Sequence, residues 1–135
     1  MREIKFSLYV PSDGGMRKYT VTSIRYTRYG EREISEVHIG DARVDGKYLK
    51  TGEVHLVQYT GLKDKNGKEI YEGDILPYRY VVTFVDASDS ANLGMSVGWY
   101  EQRDDFESFR QLEVGDELEV IGNIYENPEL LEVSQ

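Results

Sequence analysis

Cysteine is absent from the 135-residue chain. That omission removes disulfide staples, thiolate metal sites and cysteine nucleophiles together. Histidine is scarce: His38 and His55 are the only two, and neither sits in an HxH, HExxH or HxxxH spacing. Both are therefore expected at the surface or with local partners rather than as metal ligands or bases. No SxxK pattern occurs, and the one GxSxG spacing, Gly94-Met95-Ser96-Val97-Gly98, runs from a polar loop into a strand rather than from a strand into a helix, as the activated-serine elbow requires. No stretch approaches the roughly 20 apolar residues of a membrane span. The opening Met1-Arg2-Glu3-Ile4-Lys5 has no apolar signal-peptide core. These gaps lead to the expectation of a soluble, cytoplasmic, non-enzymatic protein without cofactor, metal, membrane contact or evident small-molecule substrate.

What is present is charge, unevenly placed. The net charge is −9. Residues 1–100 carry 14 basic and 14 acidic side chains, which cancel. Residues 101–135 set Arg103 and Arg110 against 11 carboxylates, so 2 − 11 = −9 and the whole imbalance lies there. Asp104-Asp105 and Asp116-Glu117 mark it as a candidate acidic contact face. In the opposite sense, Arg17, Lys18, Arg25, Arg28 and Arg32 face a single acid, Glu31, within residues 17–32. There Tyr19, Tyr26 and Tyr29 interleave with arginines, a mixture able to stack bases and neutralise phosphates. The plainer reading is strands whose tyrosines pack and whose arginines pair with acids. Overall acidity favours that reading over nucleic-acid binding.

Short alternating segments dominate the chain. Ile4, Phe6, Leu8 and Val10 share one face at period two, which predicts a half-buried strand ended by Pro11-Ser12-Asp13-Gly14-Gly15. The segments "MRKYTVTSIRYTRY", "EVHLVQYT" and "YRYVVTFV" read as further strands. Asp45-Gly46 reads as a hairpin turn, and Asp86 to Asn92 with Gly94 as a loop. One short helix is predicted near 104–112, capped by Asp104 with Phe106, Phe109 and Leu112 on one side. Another is predicted near 127–132, capped by Asn127 with Pro128 at its first position. The expected fold class is all-β and antiparallel, with no clean domain boundary.

The densest stretch is "QYTGLKDKNGKEIYEGDIL", residues 58–76. A calcium loop starting at Asp64 would need Gly where Glu69 stands and Glu where Ile75 stands, so that reading fails. A phosphate loop fails because five residues rather than four separate Gly61 from Gly67, and Glu69 rather than Ser or Thr follows Lys68. A two-residue turn at Asn66-Gly67 would oppose Lys65 to Lys68 and Asp64 to Glu69, two unfavourable pairs. A three-residue Lys65-Asn66-Gly67 loop makes every pair complementary instead. Asp64 then faces Lys68, Lys63 faces Glu69 and Leu62 faces Ile70, with Gly67 at positive φ. Gly73-Asp74 follows as a second turn, Gly for the tight conformation and Asp to accept local N–H groups. Val114-Gly115-Asp116-Glu117-Leu118 echoes it, which shared turn chemistry explains more simply than duplication.

This stretch and the closing "EVIGNIYENPELLE" resemble the two signature blocks of the YopX-like family of phage and prophage proteins, and "MREIKF" is similar to the family's usual opening. The chain is read as one such domain spanning residues 1–135, with a sub-division into an N-terminal β region (residues 1–53) and a barrel region (residues 54–135) as an option. The resemblance implies coiled antiparallel sheets with an SH3-like barrel, homo-oligomers, a source in a phage or prophage of a bacterial host, and no known activity. Segments 7–52 and 77–112 depart from the pattern, and function is best sought in 17–32 and 77–112. The leading expectation is an accessory interaction module that self-associates, the basic segment of one copy meeting the acidic region of the next. The rivals are a nucleic-acid-binding module through Arg17, Tyr19, Arg25, Tyr26, Arg28 and Tyr29, and an acidic DNA mimic that blocks a host enzyme.

Overall fold

The structure is a computed structural model and describes residues 5–28, 33–103, 109–112 and 118–132. The chain divides into two compact units, one within Ile4–Gln58 and the other within Tyr59–Gln135. The fold is all-β, built of curled antiparallel sheets that include a half-barrel.

In the first unit, β1 (Phe6–Ser12) turns at Asp13-Gly14 into β2 (Gly15–Thr20). A three-stranded sheet follows in the order β3 (Ser23–Tyr26), β4 (Ile34–Ile39), β5 (Ala42–Asp45). Then come a five-residue helix, α1 (Lys47–Thr51), and β6, which starts at His55. Leu8, Val37 and Val54 form the buried centre, with Tyr48 and Leu49 of α1 packed beside them. Strand β1 is not half-buried as its alternation predicted. It lies between β2 and the first residues of β6, and Ser7, Leu8 and Tyr9 are all buried. A central strand is covered on both faces, which period-two patterning alone does not reveal.

Asp45-Gly46 is not a hairpin turn. The reversal falls earlier, at Gly40-Asp41, with Ile39 opposite Ala42 and Gly40 at φ 65°. Asp45 instead accepts a hydrogen bond from Lys47 N through Oδ1 at 2.9 Å, and Gly46 is the N-cap of α1. Glycine is required there by close approach: a Cβ on Gly46 would lie 1.9 Å from the Ile34 carbonyl oxygen.

The second unit takes over β6 (His55–Lys63) from Tyr59 onward and pairs it with β7 (Glu69–Tyr71). Next come β8 (Asp74–Leu76), a 3-10 turn (Pro77–Arg79), β9 (Tyr80–Val85), α2 (Ala87–Leu93) and β10 (Gly98–Gln102). Strands β11 (Phe109–Gln111) and β12 (Gly122–Asn123) and a 3-10 turn (Pro128–Leu131) complete it. Five strands pair in the order β11-β10-β9-β8-β12. Ile70, Leu76, Tyr80, Val82 and Leu112 form the core, flanked by Trp99 and Leu118.

Three expectations need correction in this unit. The loop at 86–92 is helix α2: Asp86 Oδ1 accepts from Asp89 N at 2.9 Å and Gly94 closes the other end at φ 69°. Of the helix predicted near 104–112, residues 104–108 lie outside the described residues and 109–111 are strand β11, paired with β10. The closing helix is present as the 3-10 helix Pro128–Leu131 with Pro128 at its start, but Asn127 does not cap it: Asn127 Oδ1 accepts from Asn123 N at 3.2 Å.

Candidate functional site

The densest stretch of charge is occupied with holding the second unit together. Lys63 pairs with Glu69, Asp64 N donates to Lys68 O at 2.8 Å, and Gly67 N donates to Asp64 O at 2.9 Å with Gly67 at φ 81°. The complementary register stops at Lys63. Tyr59 faces Tyr71, a shift absorbed at Gly61, φ 88°, while Thr60 Oγ1 donates to Ile70 O and accepts from Leu62 N. Leu62 opposite Ile70 is therefore not a ladder pair, although Leu62 does pack on the core that holds Ile70.

The Asp64 carboxylate, 7% exposed, is held mainly by backbone N–H groups, with the Lys68 charge adding a smaller contribution. Oδ1 accepts from Asn66 N and Lys68 N at 2.9 Å each, and Oδ2 accepts from Val120 N at 3.0 Å. Burial opposes its charge most strongly, yet the bonds from Val120, Lys68 and Asn66 together outweigh that and hold the carboxyl below its usual value. Those bonds tie the 58–76 stretch to the 119–132 stretch. Gly122 and Asn123 pair with Ile75 and Asp74, Ile121 N donates to Ile75 O, and Ile124 N donates to Gly73 O. Gly73 has φ 87°, and a Cβ there would stand 2.9 Å from Tyr125 Cε2. Asp74 Oδ2 accepts from Tyr71 N at 2.8 Å. Burial, then the nearby charges of Glu72 and Asp74, push the Tyr125 phenol up to about 12. Asn66, Gly67, Gly73 and Asp74 thus belong to a closure between two distant stretches of chain.

The Arg/Tyr segment falls on two outer strands of the first unit. On β2, Arg17 lies 5.8 Å from the centre of the Tyr19 ring, and Tyr19 is 37% exposed. On β3, Arg25 is engaged by Glu36 at 3.3 Å, Tyr26 is 54% exposed, and Arg28 beyond it is exposed. Glu36 also meets His38 at 3.1 Å and Arg43 at 3.4 Å. The His38 hydrogen bond first, then the charges of Arg25 and Arg43, hold Glu36 below its usual value against burial. Arg17 and Tyr19 are brought together, whereas Arg25 is tied to an acid. Tyr29 lies outside the described residues, as do Asp104, Asp105, Asp116 and Glu117.

A concave site that the sequence did not single out lies in the second unit. Antiparallel register brings together residues of four strands, β8 to β11: Tyr80 opposite Leu76, Val82 opposite Glu101, and Glu101 opposite Arg110. Arg103 follows Glu101 at period two. Leu76, Tyr80, Glu101, Arg103 and Arg110, with Tyr78 and Arg79, line a pocket of about 530 Å³. Arg110 sits 4.0 Å and Arg103 5.5 Å from the Tyr80 ring centre, both within cation–π range. Glu101, 7% exposed, receives Arg110 Nε at 2.6 Å. Burial raises the Glu101 carboxyl above its usual value despite that guanidinium. The 3-10 turn holds Tyr78 at φ 68° and Arg79 at φ 64°, the two non-glycine residues with positive φ among those described. The one signal available earlier was the alternation Trp99-x-Glu101-x-Arg103; its partners Tyr80 and Arg110 depend on non-local pairing.

Among curated proteins no match is found. Among solved structures, protein EF1440 from Enterococcus faecalis is similar, with 27% identity, 98% of this chain and 100% of that chain covered, and a TM-score of 0.43. The family described as YopX protein matches residues 6–132, nearly the whole chain. This chain belongs to the YopX family.

Proposed function

We propose that this chain is a phage-type accessory protein, non-catalytic and cytoplasmic in a bacterial host, that works as a self-associating interaction module. YopX membership supports a phage-type protein. The observation that carries self-association is β2, the outer strand of its pairing with β1, in which five of six residues are exposed. An outer strand offers a backbone edge for pairing with another chain. This one carries Arg17, Lys18 and exposed Tyr19, while residues 101–135 supply the net charge of −9 that complements it. A second copy is the partner that provides both surfaces.

Light scattering coupled to size exclusion tests the reading. Expected is a mass above that of one chain at low salt, reduced when salt shortens the screening length to about 3 Å at 1 M. Arg17→Glu combined with Lys18→Glu should dissociate the particle. A single-chain mass at every salt and protein concentration would sink the reading. Tyr19 and Arg17 on the same strand also support nucleic-acid contact. Salt-sensitive micromolar gel shifts lost with those charges would favour that alternative. The DNA-mimic alternative rests on the acidic composition of 101–135 alone and requires capture of a host nuclease or polymerase.

A further inference from the structure

The pocket between the 3-10 turn and strands β9, β10 and β11 reaches beyond self-association. Three arginines line it, Arg79, Arg103 and Arg110, against one carboxylate among the described residues, Glu101. Glu101 is engaged by Arg110. Among the described residues no carboxylate pairs with Arg79 or Arg103, so two guanidiniums remain for an anion on a chain that is acidic as a whole. Converging positive charge costs self-repulsion, and an anion placed between the forks relieves it. The pocket's size falls within the range of small-molecule sites.

The turn supplies a second element. Tyr78 lines the same pocket and is 81% exposed, the most exposed large hydrophobic side chain among those described. Its ring meets no other ring and no cation among the described residues. Positive φ at both Tyr78 and Arg79 is strained backbone, a state that persists where the surroundings fix it and that concentrates at ligand sites. That conformation sets an aromatic ring uncovered among the described residues beside a guanidinium that none of their carboxylates pairs. By contrast, the Tyr80 ring is already covered by Arg110 and approached by Arg103, which props those two side chains over the floor.

We propose that this pocket binds a nucleoside phosphate, with the phosphate held by Arg79 and Arg103 and the base stacked on Tyr78. Guanidinium forks match phosphate oxygens in pairs, and an exposed tyrosine offers the flat face that a base requires. Glu101 acts as a positioning residue that fixes Arg110 over Tyr80. The phosphate can belong to a free mononucleotide or to the end of a single strand.

Titration of the full chain with AMP, followed by amide chemical shifts, tests the proposal. Inorganic phosphate, adenosine and a 5′-phosphorylated trinucleotide serve as the other probes. Expected are shifts at 76–80, 101–103 and 110 with AMP, with affinity at least about tenfold above inorganic phosphate, the scale of one stacked base. Arg79→Ala and Arg103→Ala should each weaken AMP by about tenfold or more, and Tyr78→Ala should bring AMP down to the affinity of phosphate. These side chains are exposed or half-buried, and unchanged spectra elsewhere would show that the variants fold. Tighter binding of the trinucleotide assigns the site to strand ends, and tighter binding of AMP assigns it to free nucleotides. No shifts at millimolar AMP, equal affinity for AMP and inorganic phosphate, or shifts confined to β2 would each overturn the proposal. Because the site is distant in sequence from β2, a monomeric chain that binds AMP would defeat self-association and leave this inference standing.

Discussion

Two buried carboxylates in the second unit differ in how their charge is handled. Asp64 accepts three backbone N–H groups and is held below its usual value. Glu101 has one guanidinium partner, and burial raises it. The first sits at a closure between two stretches of chain; the second lines an open pocket with two further arginines. A fully satisfied charge fixes structure, whereas an incompletely compensated one beside a cavity is where binding is worth testing. The contrast separates the stretches that resemble the family's signature blocks, which hold the fold, from the segment 77–112, where binding is proposed.

The largest effect should come from breaking the closure. Gly73→Val adds a side chain at φ 87° and 2.9 Å from Tyr125, and should cost about 3 kcal/mol or more in urea denaturation. If it leaves stability intact, the closure is not what holds this unit. Gly67→Val should cost less, about 1–2 kcal/mol, because φ is 81° but a Cβ there meets nothing within 4 Å. Equal costs for the two glycines would show that conformation alone matters and contact does not.

The pocket should respond in the opposite way. A carboxyl raised in the folded state contributes stability below its unfolded value, about 4.3, and loses it as pH rises through the folded value. Glu101→Gln should therefore match the parent at low pH and gain on it above that window, with Arg110, Arg103 and Arg79 as the charges around it. A variant that falls steadily behind as pH rises would mean that the Arg110 pair outweighs burial. Smallest of all, Arg103→Ala should change stability by about 0.5 kcal/mol or less, since its contact is a cation–π approach at 5.5 Å. A larger loss would make the pocket a piece of the scaffold.

Much of the closure was legible in advance because it is local. Charge complementarity across Lys63/Glu69 and Asp64/Lys68 selects a three-residue loop, and the φ of Gly67 follows. Charge pairing was nevertheless an incomplete account of Asp64: the Lys68 charge contributes, but less than the backbone N–H groups, one of them 56 residues away at Val120. Helix α2 carried readable ends in Asp86, Asp89 and Gly94, but "ASDSANL" has no apolar stripe, so periodicity was silent. Residues 109–111 read as helix from the spacing of Phe106 and Phe109; a three-residue strand is too short for its own period to compete. The pocket was not legible because Arg79, Arg103 and Arg110 meet only after β9, β10 and β11 pair.

The central claim is that Asp64, as a charged acceptor, locks the two signature stretches together. Asp64→Asn keeps the shape but presents either a weaker acceptor or an opposing N–H to Val120. Its unfolding free energy, measured in urea beside the parent from pH 7 down to pH 3, tests the claim most directly. A depressed carboxyl stabilises above its unfolded value, about 3.9, and loses that contribution as pH falls through the folded value. The predicted result is a deficit of about 2 kcal/mol at pH 7 that narrows as pH drops below 4. A deficit below about 0.5 kcal/mol at pH 7, or one that does not change with pH, would contradict it.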